Sequence, residues 1–286
     1  MRYRVRHITS YAYADSVALS RNVARLVPRE LPNQRVTSFS LKVDPQPASL
    51  RTFKDAFGND VHAFTLDVPH KRLSITADSE LEVFPSAPLP SFSPAWETVL
   101  QELTPPLDVI ELCFESPLIP RHLSLASLGS SCFWSGRPIV EAGLALSHAI
   151  HATFTYDPAA TTVTTPVLEA LERRRGVCQD FAQVLIGALR SLGLPARYVS
   201  GYLETMPPPG RERLVGADAS HAWVELWCGS TIGWLALDPT NDVVPSDRHV
   251  IVAYGRDFSD VSPVKGMILG GGAADVGVSV DVERLP

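Results

Sequence analysis

The stretch from Arg173 to Glu204, RRRGVCQDFAQVLIGALRSLGLPARYVSGYLE, constrains this chain more than any other. Within it Phe181, Val184, Leu185, Ala188, Leu189 and Leu192 recur at i, i+3, i+4, i+7, i+8 and i+11, one apolar face of an α-helix. Gly193 and Pro195 stop that helix, and Gly176 allows a tight turn into it. The spacing sets Cys178 at the helix N-terminus, three residues before Phe181 and on the face turned toward the rest of the protein. A helix start offers free amides and partial positive charge. A thiol placed there is the better nucleophile, and its own backbone amide is available to a developing oxyanion. Asp180 reads as ordinary first-turn charge.

Downstream, Arg197–Glu204 is a strand candidate, and 206–219 is a loop rich in Pro, Gly and charge whose Pro207–Pro208–Pro209–Gly210 stretch is a candidate lid. HAWVELW (221–227) then alternates, with His221, Trp223, Glu225 and Trp227 on one side and Ala222, Val224 and Leu226 on the other. GWLALD (233–238) follows a short turn and ends on Asp238. A turn centred between Gly229 and Ser230 sets His221 directly opposite Asp238, and a slip of two makes them diagonal neighbours. A slip of one would send them to opposite faces. Cys178, His221 and Asp238 thus form a nucleophile, base and orienting acid in the logic of a Cys–His–acid triad.

Residues 1–85 read as a β-rich, sandwich-like or barrel-like domain. Short alternating runs such as Phe39–Leu41–Val43 and Phe64–Leu66–Val68 are separated by Pro, Asn and Gly turn signals. Pro85, Pro88, Pro90, Pro94, Pro105 and Pro106 mark 86–106 as a linker that sustains neither a helix nor a central strand. The catalytic unit then runs over 107–286 with a C-terminal β tail. It includes helices over 140–150 and 167–174 and a short strand near 153–156. His148, His151, Cys113, Cys132 and Cys228 read as structural, with Cys228 at the hairpin turn and open to solvent.

With 286 residues, 45% of them hydrophobic, the chain has material for one large domain or two ordinary ones. A net charge of −6 without clustered Lys and Arg gives no nucleic-acid footprint. No apolar run reaches the length of a membrane span, and the N-terminus lacks a signal-peptide core. The expected location is the cytoplasm. Four scattered cysteines suit neither a disulfide framework nor a zinc site. No cofactor or metal is expected, and neither nucleic acid nor membrane as a partner.

The segments GVCQDFA, HAWVELW and LDPTN resemble the Cys, His and Asp boxes of the transglutaminase-like superfamily. The tail HVIVAYGRDFSDVSPVKG and the opening MRYRVRHITSYAYADSVALSRNVARLVPR resemble bacterial members, so the likeness spans nearly the whole chain. It implies an α+β, papain-like core in which a helix bearing Cys178 packs on an antiparallel sheet bearing His221 and Asp238. It also implies amide chemistry through a thioacyl intermediate on a peptide, protein or small amide. Water as acceptor makes a cysteine peptidase or amidase, and an amine makes a γ-glutamyltransferase-type acyl transferase. A non-catalytic scaffold is the reading from outside enzymology. Animal transglutaminases carry Trp after the cysteine where this chain has Gln179, and no acidic calcium loop is evident. Gln179 is a candidate substrate contact, and Trp223 a candidate wall or oxyanion helper.

Overall fold

The computed structural model describes residues 1–102, 106–205 and 220–286; the Pro207–Gly210 lid candidate lies outside them. In chain order come β1 (Arg2–Ala24), β2 (Gln34–Asp44), β3 (Ser49–Lys54), β4 (Asp60–Leu66) and β5 (His70–Val83). Next are α1 (Trp96–Leu100), α2 (Leu107–Ile110), α3 (Leu123–Ser130), α4 (Ile139–Thr153), β6 (Thr155–Tyr156), α5 (Val167–Arg173), β7 (Arg175–Gly176) and α6 (Cys178–Ser191). β8 (Ala196–Leu203), β9 (Ser220–Trp227), β10 (Trp234–Leu237), β11 (His249–Gly255), α7 (Phe258–Val261), β12 (Val264–Gly270) and β13 (Ala274–Leu285) complete the chain.

The β-rich region is one seven-stranded antiparallel sheet curled around β1. β5 and β4 lie end to end along one edge of β1, with Arg2 opposite Glu82 and Ala24 opposite His62. β13 and β12 do the same along the other edge, with Arg2 opposite Leu285 and Ala24 opposite Val264. The three lines break at one level: in β1 between Ala12 and Val17, in its first neighbour between β4 and β5, and in its second at Gly270–Gly272. Those three glycines have φ of 93°, 90° and 61°, the left-handed conformation that disfavours a Cβ. Period-two patterning sorts the faces. Tyr3, Val5, His7 and Thr9 are buried inward, while Arg4 pairs outward with Glu80 and Glu283, and Arg6 with Asp78.

Two expectations change here. The C-terminal tail, assigned from sequence to the 107–286 unit, is the second neighbour of β1 and buries Val280 and Val282 beneath the sheet. A strand as long as β1 has two edges to satisfy, and only one is filled by residues near it in sequence. Within the Pro-rich segment, Trp96–Leu100 forms a helical turn in the proline-free interval after Pro94.

The second sheet, in the order β10-β9-β8-β11, carries α6 on one face. Residues 179–190 of α6 are all buried, and Ala222, Val224 and Leu226 of β9 share their core. The curled sheet docks on this unit through buried and partly buried polar contacts. Tyr3 Oη donates to Glu204 Oε2 (3.0 Å), Asn59 Nδ2 to Tyr254 O (2.7 Å), and Gln34 Nε2 to Ile251 O (2.7 Å). No helix among the described residues is long and apolar enough to cross a membrane.

Candidate active site

α6 begins at Cys178, as its apolar spacing predicts, but the residue that fixes its start is Asp180. Its Oδ2 accepts from Val177 N (2.8 Å) and Thr161 Oγ1 (2.6 Å). Burial raises the pKa of Asp180, and these two donors oppose the rise. Asp180 is thus a cap and not only the first-turn charge that its position in the sequence suggests. Gly176 is required by closeness, since a Cβ there would stand 2.3 Å from Asp180 Oδ2. The first hydrogen bond of the turn runs from Asp180 N to Val177 O (2.9 Å), so the amides of Cys178 and Gln179 precede the intrahelical ladder.

The hairpin holds a longer turn than the sequence suggests. Trp227 pairs with Trp234 and Val224 with Leu237, a register two residues from direct opposition of His221 and Asp238. Gly229 and Gly233, with φ of 90° and 79°, make the extra turn, closed by Gly233 N to Gly229 O (2.8 Å). A shift of two preserves the facing side. His221 Nε2 accordingly lies 2.8 Å from Asp238 Oδ2. Cys228, expected to be exposed at this turn, is fully buried, and burial pushes its thiol up to about 12.

Asp238 is fully buried and saturated with donors. Besides His221, Oδ2 accepts from Asn241 Nδ2 (2.8 Å) and His249 Nε2 (3.2 Å), and Oδ1 accepts from the amides of Thr240 (3.0 Å) and Asn241 (3.2 Å). Burial alone would raise its pKa. The hydrogen bonds from His221, His249 and Asn241 and the charge of His221 outweigh burial and hold the carboxylate well below its ordinary range. An ionised carboxylate only accepts, so Nε2 of His221 carries the proton between them. The 3.3 Å approach of Asn241 Nδ2 to that nitrogen is then a contact between two donors. Cys178 is the second hydrogen-bonding and charge partner of the imidazole and lines the same cleft. Burial lowers the pKa of His221, but hydrogen bonds and charge from Asp238 and Cys178 raise it to about 10.

His249 and Asn241 were not singled out from sequence, although both lie in segments that carry the family likeness. Burial lowers the pKa of His249, partly offset by Asp238, so its neutral ring donates through Nε2. His148 and His151, read as structural, hold the loop after Asp238 from α4, through Asp242 Oδ2 (2.7 Å) and Thr240 O (3.0 Å). Ligand atoms of His221, Asp238 and His249 lie within 4.8 Å of one another and could hold a metal ion, though a cation there would compete for the atoms that join His221 to Asp238.

Cys178 and His221 stand between two lobes of a cleft, of about 510 and 340 Å³. Hollows of about 650 and 810 Å³ on the curled sheet contain no cysteine, so chemistry rather than volume singles out the cleft. Gln179 lines the larger lobe, with Nε2 donating to Val163 O (3.2 Å). Trp223 is fully buried behind His221, with ring centroids 5.8 Å apart, and lines a separate hollow with Glu225 and His249. It is a wall behind the imidazole and does not line either lobe that holds Cys178.

Residues 3–82 match the bacterial transglutaminase-like N-terminal region, and 134–239 match the transglutaminase-like superfamily core. An uncharacterized Mycobacterium tuberculosis protein is 42% identical over 98% of this chain and 92% of its own length. A protein-glutamine gamma-glutamyltransferase of Pseudomonas aeruginosa is 37% identical over 35% of this chain and 16% of its own. Among solved structures, a candidate cysteine protease from Cytophaga hutchinsonii superimposes with a TM-score of 0.75 at 20% identity, covering 100% of this chain and 92% of that one, a likeness of fold. Matched along nearly its whole length, the chain belongs to the transglutaminase-like superfamily.

Proposed function

We propose that this protein is a cysteine hydrolase, a peptidase or amidase, in which Cys178 attacks an amide carbonyl, His221 moves the protons and Asp238 orients His221. The observation that carries this reading is the buried imidazole held between Asp238, at 2.8 Å, and Cys178 at the mouth of two cleft lobes. In the resting pair the proton of the Cys178 thiol lies on His221, whose pKa of about 10 favours the imidazolium, and the sulfur adds to the carbonyl carbon. The oxyanion meets the amides at the start of α6. Collapse expels the amine, protonated by His221, and leaves a thioester on Cys178. Water deprotonated by His221 then releases the acid and restores the resting pair. Asp238 stays ionised throughout, because its five donors favour the carboxylate.

The acyl-transfer alternative rests on the Pseudomonas aeruginosa relative named as a glutamyltransferase. The test is incubation with a peptide-amide library plus dansylcadaverine, analysed by mass spectrometry in wild type and Cys178→Ala. Hydrolysed products without dansyl incorporation, lost in the variant, are the expected result. Dansylated products would establish transfer, and turnover that survives in Cys178→Ala would remove Cys178 from the chemistry. The four free cysteines suit a reducing compartment, and we assign the activity to the cytoplasm.

A further inference from the structure

The larger cleft lobe is built by both halves of the molecule. The core contributes Cys178, Gln179, Tyr198 and Phe258, and the curled sheet contributes Thr9 and Tyr11 from β1 and Val276 and Val278 from β13. On β13, Val276, Val278, Val280 and Val282 stand opposite Tyr11, Thr9, His7 and Val5, so all four project from one face. Val280 and Val282 are buried in the core at 0% and 1% exposure, whereas Val276 and Val278 remain 58% and 57% exposed. A single valine row therefore runs out of the core into the cleft, and among the described residues its last two members are left more than half exposed. Among the described residues lining this lobe none is Asp, Glu, Lys or Arg. His7 on its floor is kept neutral by burial, pushed down to about 4, and is held between Tyr202 Oη (3.0 Å) and Thr9 Oγ1 (2.9 Å). The smaller lobe is more polar, with Thr205, Ser220, Thr240 and Asn241 beside the same Cys178.

We infer that the curled sheet is the specificity wall of the enzyme, with Val276, Val278 and Tyr11 forming a subsite for an uncharged aromatic or branched aliphatic side chain next to the scissile amide. This inference rests on the cysteine-hydrolase reading and deepens it. The occupant follows from continuity and charge. The row that leads into the lobe is core-like, the lobe opens on the sulfur, and the one charged group at its edge, His221, is already engaged by Asp238 and Cys178, so a charged side chain beside the valines would be desolvated among apolar groups.

The test needs no natural substrate. Cys178 is alkylated with 2-chloroacetamide and with its N-benzyl, N-isobutyl, N-carboxymethyl and N-aminoethyl derivatives, each rate divided by that reagent's rate with glutathione. In wild type the benzyl and isobutyl reagents are expected to exceed both charged ones by about tenfold or more, the scale of discrimination of an apolar pocket. Val278→Asp and Val276→Asp, at half-exposed positions that tolerate a polar group, are expected to collapse that ratio and favour the aminoethyl reagent. Met267→Asp, on the neighbouring β12 and 75% exposed outside this lobe, keeps the wild-type ratio. Labelling of Cys178 with equal normalised rates, or a ratio unmoved by both aspartates, overturns the subsite and leaves the hydrolase reading standing. A Cys178 that no reagent labels, the parent included, overturns the hydrolase reading itself and the subsite with it.

Discussion

At the scale of residues, the hydrogen bonding of the cleft converges on Asp238, which gathers two imidazoles, one carboxamide and two backbone amides. His249→Ala removes one of those donors and leaves the carboxylate less well paired in a buried site. Cys178 alkylation is expected to slow by about tenfold, the cost of one buried hydrogen bond to a charge, with His249→Gln recovering part of the rate through its amide N–H. An unchanged rate in His249→Ala would assign His249 to packing alone. The pair also sets a pH window for stability. His221 rises from 6.5 to about 10 in the fold, so its contribution is complete below pH 6.5 and is lost as pH climbs through about 10. Asp238 is depressed from 3.8, so its contribution is complete above that value and is lost as pH falls below it. Asp238→Asn is therefore expected to lower the melting temperature most between about pH 4 and 6.5, by roughly 5–10 °C. Differential scanning calorimetry across pH checks this, and a deficit independent of pH would contradict it. The place of Cys178 at a helix start and the meeting of His221 with Asp238 were legible in sequence, because each residue sits at a recognisable element end. His249 and Asn241 were not: His249 reaches Asp238 from a separate strand, and Asn241, three residues on, folds back in a turn whose shape the sequence does not fix.

At the scale of elements, what matters is how α6 begins and how β9 and β10 are registered. The apolar periodicity gave the span of α6 almost to the residue, since six positions on one face admit one helix phase. The Asp180 cap was hidden, because its partners include Thr161, far from the helix in sequence. Asp180→Ala is expected to cost about 1–2 kcal/mol, as for other helix caps. Gly176→Ala forces its new Cβ against the same carboxylate. The double variant Gly176→Ala/Asp180→Ala should therefore be less unstable than the two single losses added together. Denaturant titration of the four proteins measures this, and strict additivity would separate the two residues. The alternation of β9 and β10 predicts the facing sides of the hairpin but a turn two residues shorter than the one observed, because sequence marks the glycines of a turn without fixing how many residues lie between the strands.

For the whole molecule, composition and proline content separated a β-rich region from an α+β one, but sequence alone did not reveal that the chain ends where it begins. β12 and β13 together return along the full reach of β1, and the alternating valines of β13 read equally well as a tail strand of either unit. The consequence is mechanical. Tyr3, Val5, Leu81, Val280 and Val282 share one core with Tyr202 and Val250, so the curled sheet and the helix-bearing unit should unfold together. Deleting 264–286 exposes an edge of β1 and uncovers that shared core. The expected outcome is loss of a single cooperative melting transition and a tendency to aggregate; a truncated chain that melts cooperatively near the full-length temperature would show the tail to be dispensable. The same closure carries Val276 and Val278 to the cleft, joining fold topology to the choice of substrate.

The most direct measurement is the rate of Cys178 alkylation by iodoacetamide against pH, read by peptide mass spectrometry, in wild type and His221→Ala. Wild-type Cys178 is expected to react readily at pH 6, where free cysteine is slow, and His221→Ala to remove that reactivity at neutral pH by roughly tenfold or more. A Cys178 that reacts with the pH dependence of a free thiol and is indifferent to His221→Ala would contradict the assignment of these residues as a nucleophile and its base.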